Sequence, residues 1–262
     1  MASATEHRLP PSVRPQRYAI HLTPDLVGFT FAGRETIDLN VAEPTSAILL
    51  NAAEMRITSA SVTLADGSTI GASATVDEVA ERATVTLDRA MPAGVAKLSL
   101  EFDGTLNDQL RGFYRSQYEG PDGESRFLAT TQFEATDARR AFPCWDEPEA
   151  KAVFEVTLTI PDALVAVSNM PIASESSRGA GQREVRFEPS PLMSTYLVAF
   201  IVGDLASVEG TSGNGTLVRV FATKGKEEHG RFALENSLKI LDYMNDYFGI
   251  DYPLPKMDHL AI

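Results

Sequence analysis

The chain reads as mainly β: an antiparallel, multi-sheet β-sandwich followed by a partial strand–helix–strand piece. Three observations lead there. Short alternating or β-rich runs fill residues 18–208. Asp66-Gly67 and Asp122-Gly123 punctuate them with the positive φ angles that tight hairpins need. Only once, over residues 226–248, do apolar residues recur at three- and four-residue steps.

Taken in order, the runs cover residues 18–22, 35–41, 57–64, 83–87, 97–102, 127–131, 152–160, 185–187 and 196–202. Thr157-Leu-Thr-Ile160 alternates and stops at Pro161, which has no N–H to give a ladder. Many short strands with turns between them predict packed antiparallel sheets. After the turn at Asn214-Gly215, a strand over residues 217–221 leads into the helical stretch. Phe232, Leu234, Leu238, Leu241, Met244, Tyr247 and Phe248 line one apolar stripe. Gly249 stands where a C-terminal cap is expected, with Pro253 just beyond. The change of period sets a domain boundary: residues 1–207 form the β-sandwich and 208–262 begin a second domain. That second piece is too small to bury both faces of its helix and strands. It is expected to expose apolar surface and sheet edges, and so to self-associate or be disordered.

Composition narrows the function. At 44% apolar and 23% charged, the 262 residues can bury an ordinary globular core. A net charge of −13 argues against nucleic acid, whose phosphates call for clustered Lys and Arg. One cysteine, Cys144, excludes an internal disulfide framework and suits a reducing compartment. The N-terminal MASATEHRLPPSV carries no apolar stretch like a signal peptide, and no run is long enough to span a membrane. A cytoplasmic protein is the expectation.

The chemistry-bearing candidates are few. His7, His21, His229 and His259 are not spaced to share a helix face, and a zinc site needs three or four ligands, so no metal site is expected in the chain. Glu227-Glu228-His229 reads as a solvated helix start, its acids suited to the dipole. Cys144, flanked by Pro143 and Trp145, reads as a small buried hydrophobe. The glycines of residues 209–215 lack the Lys-Ser/Thr of a phosphate cradle and form a hairpin loop.

The segment TTQFEATDARRAFPCWDEP, residues 130–148, is the richest in the chain. It sets Gln132, Glu134, Asp137, Arg139, Arg140, Asp146 and Glu147 among Phe133, Phe142, Cys144 and Trp145. Such a mixture is too polar for a core strand and too apolar for a loose loop. On residues alone, the acids and amides serve to satisfy Arg139 and Arg140.

This segment resembles the N-terminal domain of the M1 zinc aminopeptidases, which include the puromycin-sensitive and alanyl aminopeptidases. Arg8-Leu-Pro-Pro-Ser-Val-Arg-Pro15 with Tyr18-Ala-Ile-His-Leu-Thr-Pro-Asp25 is similar to the family's opening strand. Phe31-Ala-Gly33 leading to Ile37-Asp-Leu39 is similar to its second strand, and Tyr252-Pro-Leu-Pro-Lys-Met-Asp258 to its entry into the catalytic domain. The resemblance implies a saddle-like sandwich followed by the start of a thermolysin-like domain. It implies that Glu134 binds the α-ammonium of a peptide substrate, while Gln132 lines the pocket for the first side chain. Asp137, Arg139, Arg140, Asp146 and Glu147 then lock the segment that presents Glu134. The family's Gly-Ala/Gly-Met-Glu-Asn loop and His-Glu-x-x-His helix would follow Leu260-Ala-Ile262. The resemblance therefore implies an inactive fragment of a zinc-dependent aminopeptidase acting on peptide N-termini. The competing expectations are a non-catalytic β-sandwich protein-binding module and a relative that has lost its metal.

Overall fold

Along the second strand, burial alternates residue by residue: Phe31, Glu35, Ile37, Leu39 and Val41 turn inward while their neighbours face out. Repeated on neighbouring strands, that period-two pattern builds one large sheet with a buried and a solvated face. The computed structural model describes residues 8–262. Its strands are β1 (Val13–Asp25), β2 (Thr30–Val41), β3 (Thr45–Asn51), β4 (Met55–Leu64), β5 (Thr69–Asp77), β6 (Arg82–Met91) and β7 (Gly94–Thr105). Next come β8 (Gly112–Glu119), β9 (Ser125–Gln132), β10 (Val153–Pro161), β11 (Val165–Ser168), β12 (Ile172–Gly179) and β13 (Gln182–Phe187). β14 (Phe200–Gly203), β15 (Leu205–Thr211), β16 (Leu217–Thr223), helix α1 (Arg231–Phe248) and β17 (Lys256–Leu260) complete the order.

Three sheets result. A ten-stranded sheet runs β12-β13-β10-β1-β2-β7-β4-β5-β6-β3, and a four-stranded sheet runs β11-β14-β9-β8. They enclose the main core, where Tyr18, Phe31, Phe113, Phe142, Trp145, Phe154 and Phe200 are fully buried. A three-stranded sheet, β15-β16-β17, carries α1 across its face. Leu234 and Leu241 of the helix pack there on Val208, Val218 and Val220.

The mainly β reading and the β16–α1–β17 unit hold, with differences at particular elements. Pairing is antiparallel except for β1 with β10 and β16 with β17, which are parallel. Parallel pairing of β1 with β10 joins segments more than a hundred residues apart, which no local pattern encodes. β12 is exposed at every residue, so it had no alternation to detect. The run at 196–202 splits: Thr195–Leu197 is a 3₁₀ turn and the strand starts at Phe200. Asn169 explains the split, because its amide donates to the Leu197 carbonyl at 2.8 Å and its Oδ1 accepts the Ala199 N–H at 2.8 Å. Backbone groups taken by a side chain are lost to the ladder.

The helical stripe is narrower than predicted. Leu234 and Leu241 are buried and Leu238 is partly so, but Phe232, Met244, Tyr247 and Phe248 face outward. The Glu227–Gly230 segment forms a 3₁₀ turn ahead of α1. Gly249 ends the helix in the left-handed region at φ 64°, where a side chain would be strained. The Asp66-Gly67 and Asp122-Gly123 turns close the β4–β5 and β8–β9 hairpins, both glycines at positive φ.

Candidate substrate-anchoring site

The four-stranded sheet, through β9, brings Gln132 and Glu134 to the surface. Phe133, 2% exposed, turns inward just past the end of β9. Its ring meets Phe142 and Phe200 edge-on, with centroids 5.9 and 6.0 Å apart. With Phe133 anchored inside, Gln132 at the end of β9 and Glu134 in the turn that follows flank it. Both are exposed. The Asp137 N–H then donates to the Phe133 carbonyl at 2.9 Å, and a 3₁₀ turn over Ala138–Arg140 reverses the chain.

Two arginines fix this turn. Arg139 donates through Nε to the Asp146 carboxylate at 3.0 Å and through Nη1 to Glu81 at 3.1 Å. Arg140 donates to Asp137 at 2.8 Å, to Glu54 at 2.7 Å, and to Glu81. Asp146 is almost wholly buried; burial pushes its carboxyl up, and Arg139 opposes that. Such networks are geometrically specific because the guanidinium fork donates to carboxylates only in fixed directions.

The returning strand is equally tied down. Cys144 pairs with Asn51 through backbone bonds of 3.0 and 2.7 Å, and the Asp146 N–H donates to Asn51 Oδ1 at 3.1 Å. The Trp145 N–H donates to the Tyr18 hydroxyl at 3.1 Å, and Thr195 Oγ1 to the Trp145 carbonyl at 2.9 Å. Glu147 accepts the Leu9 N–H at 2.6 Å. Cys144 lies in the core, where burial raises its thiol well above the usual range, so it is a packing residue. Phe142 and Trp145 are core residues as well.

Thus the arginines are satisfied by Asp137, Asp146, Glu54 and Glu81. Gln132 and Glu134 take no part. Among the described residues neither side chain has a hydrogen-bond or ion-pair partner. Satisfying Arg139 and Arg140 is therefore not what these two residues do. Glu54, Glu81 and Asn51 are the residues that sequence reasoning missed. Glu81 lies 58 positions from Arg139, in a turn with no motif of its own, so only the fold could reveal it.

The described residues do not fit a zinc ion. No three of their His, Cys, Asp or Glu side chains come together as ligands. His21 Nε2 shares a hydrogen with Thr159 at 2.8 Å, and His259 Nε2 with Ser237 at 2.9 Å. His229 is exposed in the turn before α1, and His7 lies outside the described residues. No described helix is long and apolar enough to cross a membrane.

The fold is β-rich, and beside a turn fixed by two arginines it leaves a carboxylate and an amide exposed. A family model described as the peptidase M1 N-terminal domain matches residues 14–197. The chain is 47% identical over 255 residues to aminopeptidase M1-B of Oryza sativa subsp. japonica, covering 97% of this chain and 29% of that protein. It is 42% identical over 263 residues to the puromycin-sensitive aminopeptidase of Caenorhabditis elegans, covering 100% of this chain and 28% of that one. Against aminopeptidase N of Acetobacter pasteurianus the identity is 41% over 255 residues, 97% of this chain and 70% of the relative. The chain belongs to the peptidase M1 family, through its N-terminal domain. It spans under a third of the length of the rice and nematode relatives.

Proposed function

We propose that this chain is the substrate-anchoring part of an aminopeptidase, with Glu134 receiving the α-ammonium of a peptide and Gln132 lining the pocket for its first side chain. Residues 1–207 make up the anchoring β-sandwich domain, and residues 208–262 begin the catalytic domain. The observation that carries this reading is an exposed carboxylate without a partner among the described residues, on a turn whose other charged side chains, Asp137, Arg139 and Arg140, are all engaged. An unpaired carboxylate carried on a fixed turn selects a free amine over a blocked one. Its role is positional, since fixing the N-terminus places the first peptide bond at a constant distance from the reacting groups. Zinc, which the family resemblance implies for the reaction, would need ligands other than those the described residues gather.

The test is a titration of leucinamide into the protein, followed through the backbone amide resonances of residues 130–137, with N-acetyl-leucinamide as the control. A single exposed ion pair gives weak affinity, with Kd on the order of millimolar. The free amine is expected to shift Gln132 and Glu134, the acetylated ligand to leave them in place, and Glu134→Gln to abolish the response. Equal shifts from both ligands would mean that the site does not read the amine. No response from either would favour a protein-binding module.

A further inference from the structure

Lys256 opens β17, and only 5% of it is exposed. Its ammonium donates to the Ser168 carbonyl at 2.7 Å, and to Asp258 on its own strand. Ser168 ends β11 in the other sheet system, so the bond crosses from the three-stranded to the four-stranded sheet. Elsewhere the sheets meet through apolar packing of Leu205, Phe221 and Leu260 on Leu128, Val167 and Ile201, and at Asp204, the one-residue link from β14 to β15, which Arg126 of β9 binds at 2.9 Å. Apolar packing sets a distance but is non-directional. A buried charge-assisted hydrogen bond sets a register.

From Ser168 the bonds continue toward the candidate site. Ser168 Oγ donates to the Ala199 carbonyl at 2.8 Å. On the next residue, the Phe200 N–H donates to Thr131 Oγ1 at 3.1 Å, and Thr131 Oγ1 donates to the Phe200 carbonyl at 3.3 Å. Thr131 immediately precedes Gln132, and the Phe200 ring meets that of Phe133. β14 is thus the one strand between the Lys256 anchor and the strand that ends in Gln132.

We propose that Lys256 is a positioning residue: by holding the Ser168 carbonyl it registers the three-stranded sheet against the four-stranded sheet and so fixes where Gln132 and Glu134 are presented. The proposal rests on the reading of Glu134 given above. Asp258 serves a separate purpose. Burial would raise its carboxyl, but Arg219, at 2.7 and 2.8 Å, and Lys256 together hold it below the ordinary range, so it neutralises charge within its own sheet. Asp258→Asn leaves the Lys256 nitrogen an N–H donor to the Ser168 carbonyl, whereas Lys256→Met removes the donor altogether.

The test compares Lys256→Met with Asp258→Asn by amide resonances without ligand and by leucinamide affinity. Lys256→Met is expected to shift Thr131, Gln132 and Glu134 and to weaken leucinamide about threefold or more. Asp258→Asn is expected to shift β16 and β17 while leaving residues 131–134 in place. If Lys256→Met does not fold, Ser168→Ala interrupts the same connection beyond the lysine and is expected to shift the same three residues. Unmoved resonances at 131–134 in the folded variant, or equal shifts in Asp258→Asn, would overturn the proposal. If wild-type protein ignores leucinamide, the reading of Glu134 fails, while the resonance comparison still judges Lys256.

Discussion

Glu35 lies on the core face of β2, opposite Ile20 on β1 and Leu100 on β7, and neither of its carboxyl oxygens has a hydrogen-bond donor. Burial pushes its carboxyl well above the usual range. The ionisable groups near it are Tyr18 and Cys144, both themselves raised by burial, so nothing there stabilises an anion. The sign follows from linkage. Below the unfolded carboxyl pKa of about 4.3 both states hold the proton, and stability is full. As pH rises through the raised folded value, the unfolded chain ionises first and stability is lost. Glu35→Leu is therefore expected to stabilise the protein at pH 7 by about 1–3 kcal/mol and to flatten the pH dependence above about 4.3. Urea midpoints measured from pH 4 to 8 give the answer; parallel curves for the two proteins would refute it. Glu134 behaves oppositely. Exposed and without a partner, it contributes little to the fold, so Glu134→Gln is expected to change stability by no more than about 0.5 kcal/mol while losing amine recognition. That separation of stability from binding marks a functional side chain.

α1 is the element in which local pattern and tertiary demand part company. Its inward edge satisfies the small core of the three-stranded sheet through Leu234 and Leu241. Its outward side carries Phe232, Ile240, Tyr243, Met244, Tyr247 and Phe248, with the Tyr243 and Tyr247 rings stacked 6.0 Å apart. Monomers rarely leave such a contiguous apolar face in water. The protein is expected to self-associate through this face at micromolar concentrations. The double substitution Tyr247→Glu with Phe248→Glu should return it to a monomer in sedimentation velocity. A wild-type monomer at all concentrations would remove the expectation. The heptad-like recurrence announced a helix correctly, but it could not distinguish the edge that the sheet covers from the one it leaves bare. Residues 130–148 were legible for the reverse reason: aromatic and charged residues alternate so tightly that the segment must be both anchored and exposed.

Across the whole molecule, the buried apolar residues form a large core, a small one and a junction cluster where the three- and four-stranded sheets meet. The large one lies between the ten- and four-stranded sheets, and the small one lies under α1. Local stability follows buried apolar contact, so amides of β1, β2 and β7 are expected to exchange far more slowly than those of β15, β16 and α1. Hydrogen exchange by mass spectrometry decides this; uniform protection would mean that the sheets open as one unit. Although the helix starts at Arg231 behind a 3₁₀ turn rather than at 226, the sequence by itself determined the β class, where the helix ends, the family, and the segment that bears Gln132 and Glu134. Each of these rests on local periodicity, turn chemistry or a contiguous motif. Only the tertiary structure decided that β1 pairs in parallel with β10, that Glu54 and Glu81 hold the arginines, and that Lys256 reaches Ser168. These contacts join residues tens of positions or more apart, and their partners are chosen by three-dimensional proximity, which no run of neighbouring residues encodes.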